Sequence, residues 1–178
     1  MILEETINKL IRDTVDLLLA SPGYTIKAKQ KDAPRPKEDY GDVDFVSDTG
    51  LGWEQFEYQN RTGDPDLDST SKGMRQIMMS IGFYRDSSID NARKVHSGLV
   101  RESVQALFRE AGIGLIRRSE VREISEPLEN GWEERAQLDV FLSAVGTDTD
   151  IVRSIESVDM AGEFQARGLI YNFNIEVQ

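Results

Sequence analysis

Three aspartates in a polar loop are the residues whose spacing comes closest to a known chemical site. Asp64, Asp66 and Asp68 alternate with other residues, as carboxylates do at the start of the calcium-binding loop of EF-hand proteins. That loop also needs glycine at its sixth position and glutamate at its twelfth, where this chain has Ser69 and Arg75. The spacing therefore argues against a metal site and favours an acidic surface loop.

The side chains needed for other catalytic mechanisms are scarce. The chain has no cysteine, which excludes a disulfide framework, a thiolate nucleophile and a cysteine metal site. Its one histidine, His96, lies in a helical pattern, where a lone histidine more often has a structural role. The sequence has no Gly-x-Ser-x-Gly elbow and no P-loop, and no lysine follows Lys94 to accompany the carboxylates of a metal-dependent nuclease. These features predict a protein that is not an enzyme and that uses no cofactor.

The net charge of the chain is strongly negative. Its 178 residues include 32 Asp and Glu against 21 Lys and Arg, which gives −11 at pH 7. A general nucleic-acid-binding surface needs a basic stripe, whereas an acidic protein can surround DNA without gripping it. The first residues do not resemble a signal peptide, and no apolar run is long enough to cross a membrane. We therefore expect a protein that works away from membranes, in the cytoplasm or in a particle assembled there.

A basic segment interrupts this acidic chain. Residues 27–40 contain two prolines and the densest lysines of the sequence, among them Lys29, Lys31 and Lys37. The low hydrophobicity and the prolines predict an exposed loop or arm. Its lysines suit a contact with an acidic neighbouring subunit, and a solvated connection is the alternative.

The middle of the chain predicts a strand followed by a helix. Apolar residues alternate with polar or small ones along Met74–Tyr84, which predicts a strand packed mainly on one side. Its apolar positions are Ile77, Met79, Ile81 and Phe83. Directly afterwards, Asp86, Ser87 and Ser88 offer side-chain oxygens that can cap a helix.

The helix that follows is predicted to be long or kinked. Apolar residues recur at spacings of three and four from Ile89 to Ala111, and Gly112 is a good stop signal. Gly98 lies between two apolar sets and predicts the kink, because glycine is costly inside a helix.

Further elements are predicted on both sides of this unit. Apolar residues from Leu3 to Leu18 recur at helical spacing, and Ser21-Pro22-Gly23 ends that N-terminal helix. Strands are predicted at Asp42–Tyr58 (a hairpin or two strands about the turn DTGLG), Ile113–Arg118, Trp132–Val145 (before a turn at GTDTD), Ile151–Met160 and Leu169–Val177.

The segment Trp132–Val145 shows the cleanest alternation in the chain. One predicted face is apolar: Trp132, Ala136, Leu138, Val140, Leu142 and Ala144. The other is polar: Glu133, Arg135, Gln137, Asp139 and Ser143. Phe141 breaks the polar face and is either a second packing layer or a contact for another subunit.

These elements predict an α/β fold of the α+β kind, as a single domain over residues 1–178. We expect a mixed, mostly antiparallel sheet, with the N-terminal helix and the central long or kinked helix packed on one face. Five large aromatic residues lie on predicted strands, and we expect most of them in the core: Trp53, Tyr58, Tyr84, Trp132 and Phe141. Any that are exposed would be preferred anchors of an interface.

Most of the chain resembles the neck or tail terminator proteins, also called tail completion proteins, of bacteriophages with contractile tails. The matching phrases occur in order from about Tyr40 to Met160: DTGLGWEQFEYQN, MRQIMMSIGFYRDSSIDNARKVHSGL, VQALFREAGIGLIRRSEVREISEPLENGWEERAQLDVFL and IVRSIESVDM. Because no single motif defines this family, the resemblance assigns no functional residue.

The resemblance implies a structural protein of the phage neck. Six copies would form a ring that caps the tail tube, ends tail polymerisation and joins the tail to the head-completion or connector proteins, with the tail sheath as a further candidate partner. DNA would pass through the ring without specific binding, which agrees with the negative charge. A head-completion adaptor or stopper of the same neck is the alternative, and a small metal-dependent enzyme is an alternative from another class.

Candidate interface residues follow from charge and size rather than from the resemblance. Copies in a ring meet head to tail, so that different surfaces face each other. We expect the basic segment of one copy to meet the acidic loop of the next, with large side chains as further anchors. The candidates are Lys29, Lys31, Lys37, Asp64, Asp66, Asp68, Trp53 and Phe141.

Overall fold

Helices and strands account for most of the chain. A computed structural model describes residues 2–30, 35–64, 66–128, 131–153, 158–166 and 169–177. The helices are α1 (Ile2–Leu19), α2 (Ser88–Gly98) and α3 (Glu102–Glu110). The strands are β1 (Thr25–Lys27), β2 (Tyr40–Asn60), β3 (Leu67–Tyr84), β4 (Ile113–Arg118), β5 (Arg122–Glu123), β6 (Glu126–Leu128), β7 (Gly131–Glu133), β8 (Arg135–Val152), β9 (Val158–Ala166) and β10 (Leu169–Val177).

A mixed sheet forms the centre of the fold. Its strand order is β1-β2-β3-β8-β4, and β5 also pairs with β8. Strand β1 runs parallel to β2, whereas β4 and β5 run antiparallel to β8. Two further antiparallel pairs are β6 with β7 and β9 with β10. The predicted α+β fold with a mostly antiparallel sheet is confirmed.

Two units are distinguished along the chain. The first comprises Met1–Trp53 and Gly73–Gly146, and it contains the three helices and the hydrophobic core. The second comprises Glu54–Lys72 and Thr147–Gln178, and it contains the hairpin of β9 and β10. The single domain over residues 1–178 stays a prediction.

One face of the sheet packs against the helices, as the alternation predicts. Every second side chain is buried at Ile77–Phe83 of β3 and Ala136–Ala144 of β8, and α1, α2 and α3 contribute the other side of the core. The fully buried side chains include Ile7, Ile11, Val15, Ile77, Met79, Ile81, Phe83, Val95, Leu99, Phe108, Leu138, Val140 and Leu142. Burying each of these large side chains stabilises the fold by about 1.5–3 kcal/mol.

The predicted kink is a break between two helices. Helix α2 ends at Gly98 and α3 begins at Glu102. Gly98 is buried, and a β-carbon at this position would lie 2.5 Å from Leu18 Cδ2 of α1. The lack of a side chain therefore lets α2 approach α1 closely.

Replacing Gly98 with valine is expected to lower the free energy of unfolding by about 1–3 kcal/mol, because the added methyl groups would overlap Leu18. Urea denaturation measures the change. The matched experiment repeats Gly98→Val in a Leu18→Ala background, where the loss should be smaller. An equal loss in both backgrounds would refute the close approach as its cause.

The predicted helix cap is wrong. Ser87 is the N-cap residue of α2, but its side chain makes no capping hydrogen bond. Its backbone angles, φ −103° and ψ 13°, lie outside the extended region that a capping serine normally adopts. The helix start is instead held by the backbone, since Asn91 N donates to Ser87 O at 2.9 Å and Ser88 N donates to Arg85 O at 2.9 Å.

Two predicted turns are also wrong. Strand β2 continues through DTGLG to Asn60, and β8 continues through GTDTD to Val152. Gly52 has a positive φ of 78°, which distorts β2 locally without reversing it. The chain turns later, between β2 and β3, where Gly63 has a φ of 76°. The strand predicted at Ile151–Met160 is therefore divided between the end of β8 and the start of β9, whereas β10 matches its prediction.

Candidate functional site

The exposed aromatic side chains are the clearest candidates for an interface. Trp53 in β2 is 99% exposed and Trp132 in β7 is 75% exposed. Tyr58 is also exposed, so the expectation that most of the five aromatics are in the core is wrong. Fully exposed tryptophans are unusual in proteins that work alone, and they are enriched among the anchors of interfaces.

Phe141 lies on the face of the sheet that the helices do not cover. Its side chain is half-buried, and the guanidinium carbon of Arg117 in β4 lies 3.5 Å from the ring centroid. This cation–π contact partly covers the ring within its own chain. Phe141 as a subunit contact stays a prediction.

The basic segment is held at both of its described ends. Lys29 Nζ lies 2.6 Å from Asp44 Oδ2, although the lysine side chain is mostly exposed. Arg35 Nη1 lies 3.6 Å from Glu133 Oε2. Lys37 is exposed and forms no ion pair with a described residue, and Lys31 lies outside the described residues.

The acidic loop is partly neutralised within the chain. Arg61 lies 2.9 Å from Asp64 and 3.3 Å from Asp68. Asp66 is half-buried, and its carboxylate forms no ion pair inside the described ranges. A contact between this loop and the basic segment of a neighbouring copy stays a prediction, and Arg61 and Asp44 would compete with it.

The polar face of β8 consists of buried and half-buried side chains. Asp139 is 5% exposed, and its carboxylate accepts a hydrogen bond from Ser80 Oγ of β3 at 2.9 Å and pairs with Arg122. Gln137 Nε2 donates to Ser80 Oγ at 2.6 Å, and Ser119 Oγ accepts from Asp139 N at 2.9 Å. This network connects β3, β8 and the segment after β4, which the alternation pattern does not reveal.

Arg135 is the centre of a second buried network. Its Nε donates to Glu133 Oε2 at 2.7 Å, and its Nη1 lies 2.6 Å from Glu126 Oε2. Burial would lower the pKa of Arg135, but the hydrogen bond and charge of Glu133, together with Glu126, outweigh burial and raise that pKa. The guanidinium carbon also lies 5.5 Å from the ring centroid of Tyr84. The three charges therefore fasten β6 and β7 to β8.

Two stacked tyrosines continue this network towards β2. The rings of Tyr40 and Tyr84 are nearly parallel, with centroids 4.6 Å apart. Tyr84 Oη donates to Asp42 Oδ2 at 3.1 Å. Burial raises the pKa of Tyr84, and the adjacent Asp42 charge raises it further. Burial also raises the pKa of Asp42, despite the hydrogen bond from Tyr84.

Asp42→Asn is expected to stabilise the protein more at pH 7 than at pH 3. The raised pKa of Asp42 means that the folded state disfavours the charged carboxylate. Protonated Asp42 therefore stabilises the wild-type protein below the unfolded-state pKa of 3.8, and this contribution is lost as pH rises through the raised pKa of the folded state. Asparagine keeps an oxygen that can accept from Tyr84 and carries no charge. Thermal unfolding of both proteins across this pH range measures how the stability difference between them changes with pH. A larger benefit of the substitution at pH 3 than at pH 7 would contradict the prediction.

Metal ligands, the single histidine and membrane-spanning helices are the remaining features to describe. No group of three or more His, Cys, Asp or Glu side chains could hold a metal ion among them. Partial burial lowers the pKa of His96, and Arg118 lowers it further. Arg118 also donates a hydrogen bond to the backbone carbonyl of His96, and this bond links β4 to α2. Within the same residues, none of the helices is long and apolar enough to cross a membrane.

Comparison with known proteins assigns the chain to a family. No curated protein matches the sequence at a significant level. The profile described as phage neck terminator protein matches residues 2–166, which includes all three helices and the central sheet. This is a family of structural proteins of the virion neck, and such proteins contact other tail or head proteins. The chain belongs to the phage neck terminator protein family.

Proposed function

We propose that the protein forms a ring that caps the tail tube of the phage at the end facing the head. The ring ends polymerisation of the tail and provides a platform for the head-completion or connector proteins. It consists of six copies of the chain, and DNA passes through its centre. Membership of the neck terminator family is the observation that carries this proposal.

Exposed apolar side chains support an assembly built from several copies. Besides Trp53, the strand β2 exposes Val46, Leu51 and Phe56, each by more than 40%. Contacts that bury such residues stabilise association through the hydrophobic effect. Trp53 is the anchor that we assign to the contact between copies.

The charge of the chain supports DNA passage without adhesion. Affinity for DNA grows with each Lys or Arg that neutralises a phosphate. The chain carries a net charge of −11, and several of its arginines are engaged by carboxylates of the same chain. A lumen lined by such a protein repels the DNA backbone rather than gripping it.

Mass photometry followed by negative-stain imaging tests the ring. A species of six times 20.1 kDa, with ring-shaped images, is the expected result. A monomer at every concentration leads to the next experiment, in which the protein is expressed together with the tail-tube protein. Tubes that grow to uncontrolled length in its presence would overturn the proposal.

A head-completion adaptor or stopper of the same neck is the second candidate. The two functions differ in the neighbour that the protein binds. A terminator binds the tail tube, with the sheath as a further candidate partner, whereas an adaptor binds proteins on the portal side. Separate co-purification with a tail-tube protein and with a portal distinguishes them. Binding to the portal alone would favour the adaptor.

A further inference from the structure

A shallow depression beside the hairpin of β6 and β7 combines two apolar side chains with acidic ones. Among the residues that the structure describes, five line it, and we call them the hairpin surface: Glu123, Ile124, Ser125, Trp132 and Glu134. Trp132 is 75% exposed and Ile124 is 43% exposed. The neighbouring Glu133 is 9% exposed and contacts Arg135 instead, so successive side chains of this segment have different environments. The fold therefore holds a large indole ring in solvent on a well-anchored element.

The hairpin surface is acidic. Neither Glu123 nor Glu134 forms an ion pair with another residue of the described ranges. The nearby cations have other partners, because Arg135 contacts Glu133 and Glu126, and Arg122 contacts Asp139. An exposed indole flanked by two unpaired carboxylates suits a cationic ligand.

The basic segment of the chain has the complementary chemistry. Within this segment, which spans residues 27–40, the part 27–37 (KAKQKDAPRPK) has five cationic side chains and one acidic one, Asp32. The cations are Lys27, Lys29, Lys31, Arg35 and Lys37. Lys27 and Lys37 are exposed and form no ion pair with the residues that the structure describes. The segment also contains two prolines, and proline-containing segments commonly bind to exposed aromatic rings.

We propose that the hairpin surface of one copy binds the basic segment of the next copy. This inference rests on the proposed ring, in which neighbouring copies present different surfaces to each other. It names an acceptor for the basic segment other than the loop of Asp64–Asp68. Arg61 of the same chain already forms ion pairs with Asp64 and Asp68 of that loop, whereas none of the five residues of the hairpin surface is a cation.

The contact does not form within one copy through the residues that the structure describes. In the same chain, Arg35 reaches Glu133, whose side chain is buried, and Pro36 O accepts a hydrogen bond from Arg85 Nη2 at 2.6 Å. Lys29 contacts Asp44. The carboxylates of Glu123 and Glu134 are thus left for a segment from another copy.

A peptide titration tests the binding directly. The protein carries Trp53→Phe, so that Trp132 is the remaining tryptophan and reports on the hairpin surface. The probe is a synthetic peptide of residues 27–37, and its control has glutamate in place of every Lys and Arg. We expect a saturable change in Trp132 fluorescence with the first peptide and none with the second. The change should weaken as salt is raised from about 0.1 M to 1 M, because the screening length falls from about 10 to 3 Å.

Charge reversal on the protein identifies the acceptor. Glu123→Lys with Glu134→Lys should weaken binding of the peptide about tenfold or more. The matched control, Asp64→Lys with Asp68→Lys, should leave binding unchanged. Equal fluorescence changes with both peptides would overturn the assignment. Loss of binding in the control variant, with binding retained in the Glu123→Lys and Glu134→Lys variant, would also overturn it and would identify the Asp64–Asp68 loop as the acceptor.

A mixing experiment shows whether the contact joins two copies. Variant X carries Lys27→Glu and Lys37→Glu, and variant Y carries Glu123→Lys and Glu134→Lys. Each alone should cap tail tubes poorly. Together they should recover, because the basic segment of Y fits the hairpin surface of X, and the two glutamates introduced into the segment of X can pair with the two lysines introduced into the hairpin surface of Y. Recovery in a chain that carries all four changes, but not in the mixture, would place the contact within one copy and refute the proposal.

The two assays separate this inference from the proposed function. If the peptide binds but the protein neither forms rings nor caps tubes, the terminator function fails and the binding site stands. If tubes are capped but the peptide does not bind, the binding site fails and the terminator function stands. Circular dichroism and thermal unfolding confirm that the reversed variants are folded, as expected for exposed positions.

Discussion

Replacing Arg135 with methionine is expected to lower the free energy of unfolding by about 3–5 kcal/mol. The substitution removes the guanidinium that Glu133 contacts, and the Glu133 side chain is only 8% exposed. A buried carboxylate without its partner is costly, because it has lost water and gained no compensating charge. Arg35 lies 3.6 Å from the same carboxylate but is itself 62% exposed, so it compensates poorly. Urea denaturation followed by circular dichroism measures the loss.

An exposed ion pair provides the control for this experiment. Arg109 and Glu102 form a salt bridge with side chains that are 61% and 84% exposed. Arg109→Met should therefore change the free energy of unfolding by less than about 1 kcal/mol. Adding Glu133→Leu to Arg135→Met should recover part of the stability, since no buried carboxylate then remains unpaired. If Arg135→Met and Arg109→Met cost the same, the network around Arg135 does not stabilise the fold in the way that we infer.

Trp53→Ala is expected to leave stability almost unchanged and to weaken assembly strongly. The side chain is 99% exposed, so its removal should change the free energy of unfolding by less than about 0.5 kcal/mol. An aromatic anchor of an interface commonly contributes about 2 kcal/mol or more, which corresponds to about a 30-fold weaker association. The concentration at which the protein caps tail tubes, followed by electron microscopy, measures this effect.

Two further variants show whether the effect belongs to Trp53. Trp53→Phe keeps an aromatic ring and should retain most of the capping activity. Leu17→Ala removes an exposed apolar side chain from α1, 59% exposed, and should have little effect on capping. Normal capping by Trp53→Ala at wild-type concentrations would exclude Trp53 as the anchor, while the family assignment would be unaffected.

The apolar half of the fold is predictable from the sequence because its signal is local. Alternation along β3 and β8 identifies the residues that face the helices, such as Phe83 and Leu138, and each has its expected burial. The helical spacing and Gly98 likewise predict the broken central helix. In these segments the packing of one face against the helices accounts both for the alternation of apolar residues in the sequence and for the burial of their side chains.

The polar half is not predictable in the same way, because it depends on partners distant in the sequence. Asp139 is buried by contacts with Ser80, 59 positions away, and with Arg122. A pattern of charged residues along one strand cannot reveal such partners, so it identifies a polar face without showing whether that face is buried. Similarly, the glycines of DTGLG indicate a turn, but pairing within the sheet keeps β2 extended through them.

The exposed tryptophans have yet another explanation. Aromatic residues on strands are usually buried, so the sequence favours the core for Trp53 and Trp132. Trp53 lies in a run of β2 that is exposed from Val46 to Phe56. Length and alternation predict the strand but not the part of it that another element covers.

The network of Ser80, Gln137 and Asp139 also restricts how the strands can be aligned. A shift of one residue between β3 and β8 would turn Ser80 away from the Asp139 carboxylate, and this buried charge would lose one of its hydrogen-bond donors. Mispaired sheets, including those made by exchanging strands between copies, therefore carry a penalty that purely apolar strands would lack. In a protein with long strands and exposed apolar residues, such a lock would keep assembly on the intended surfaces and hinder aggregation.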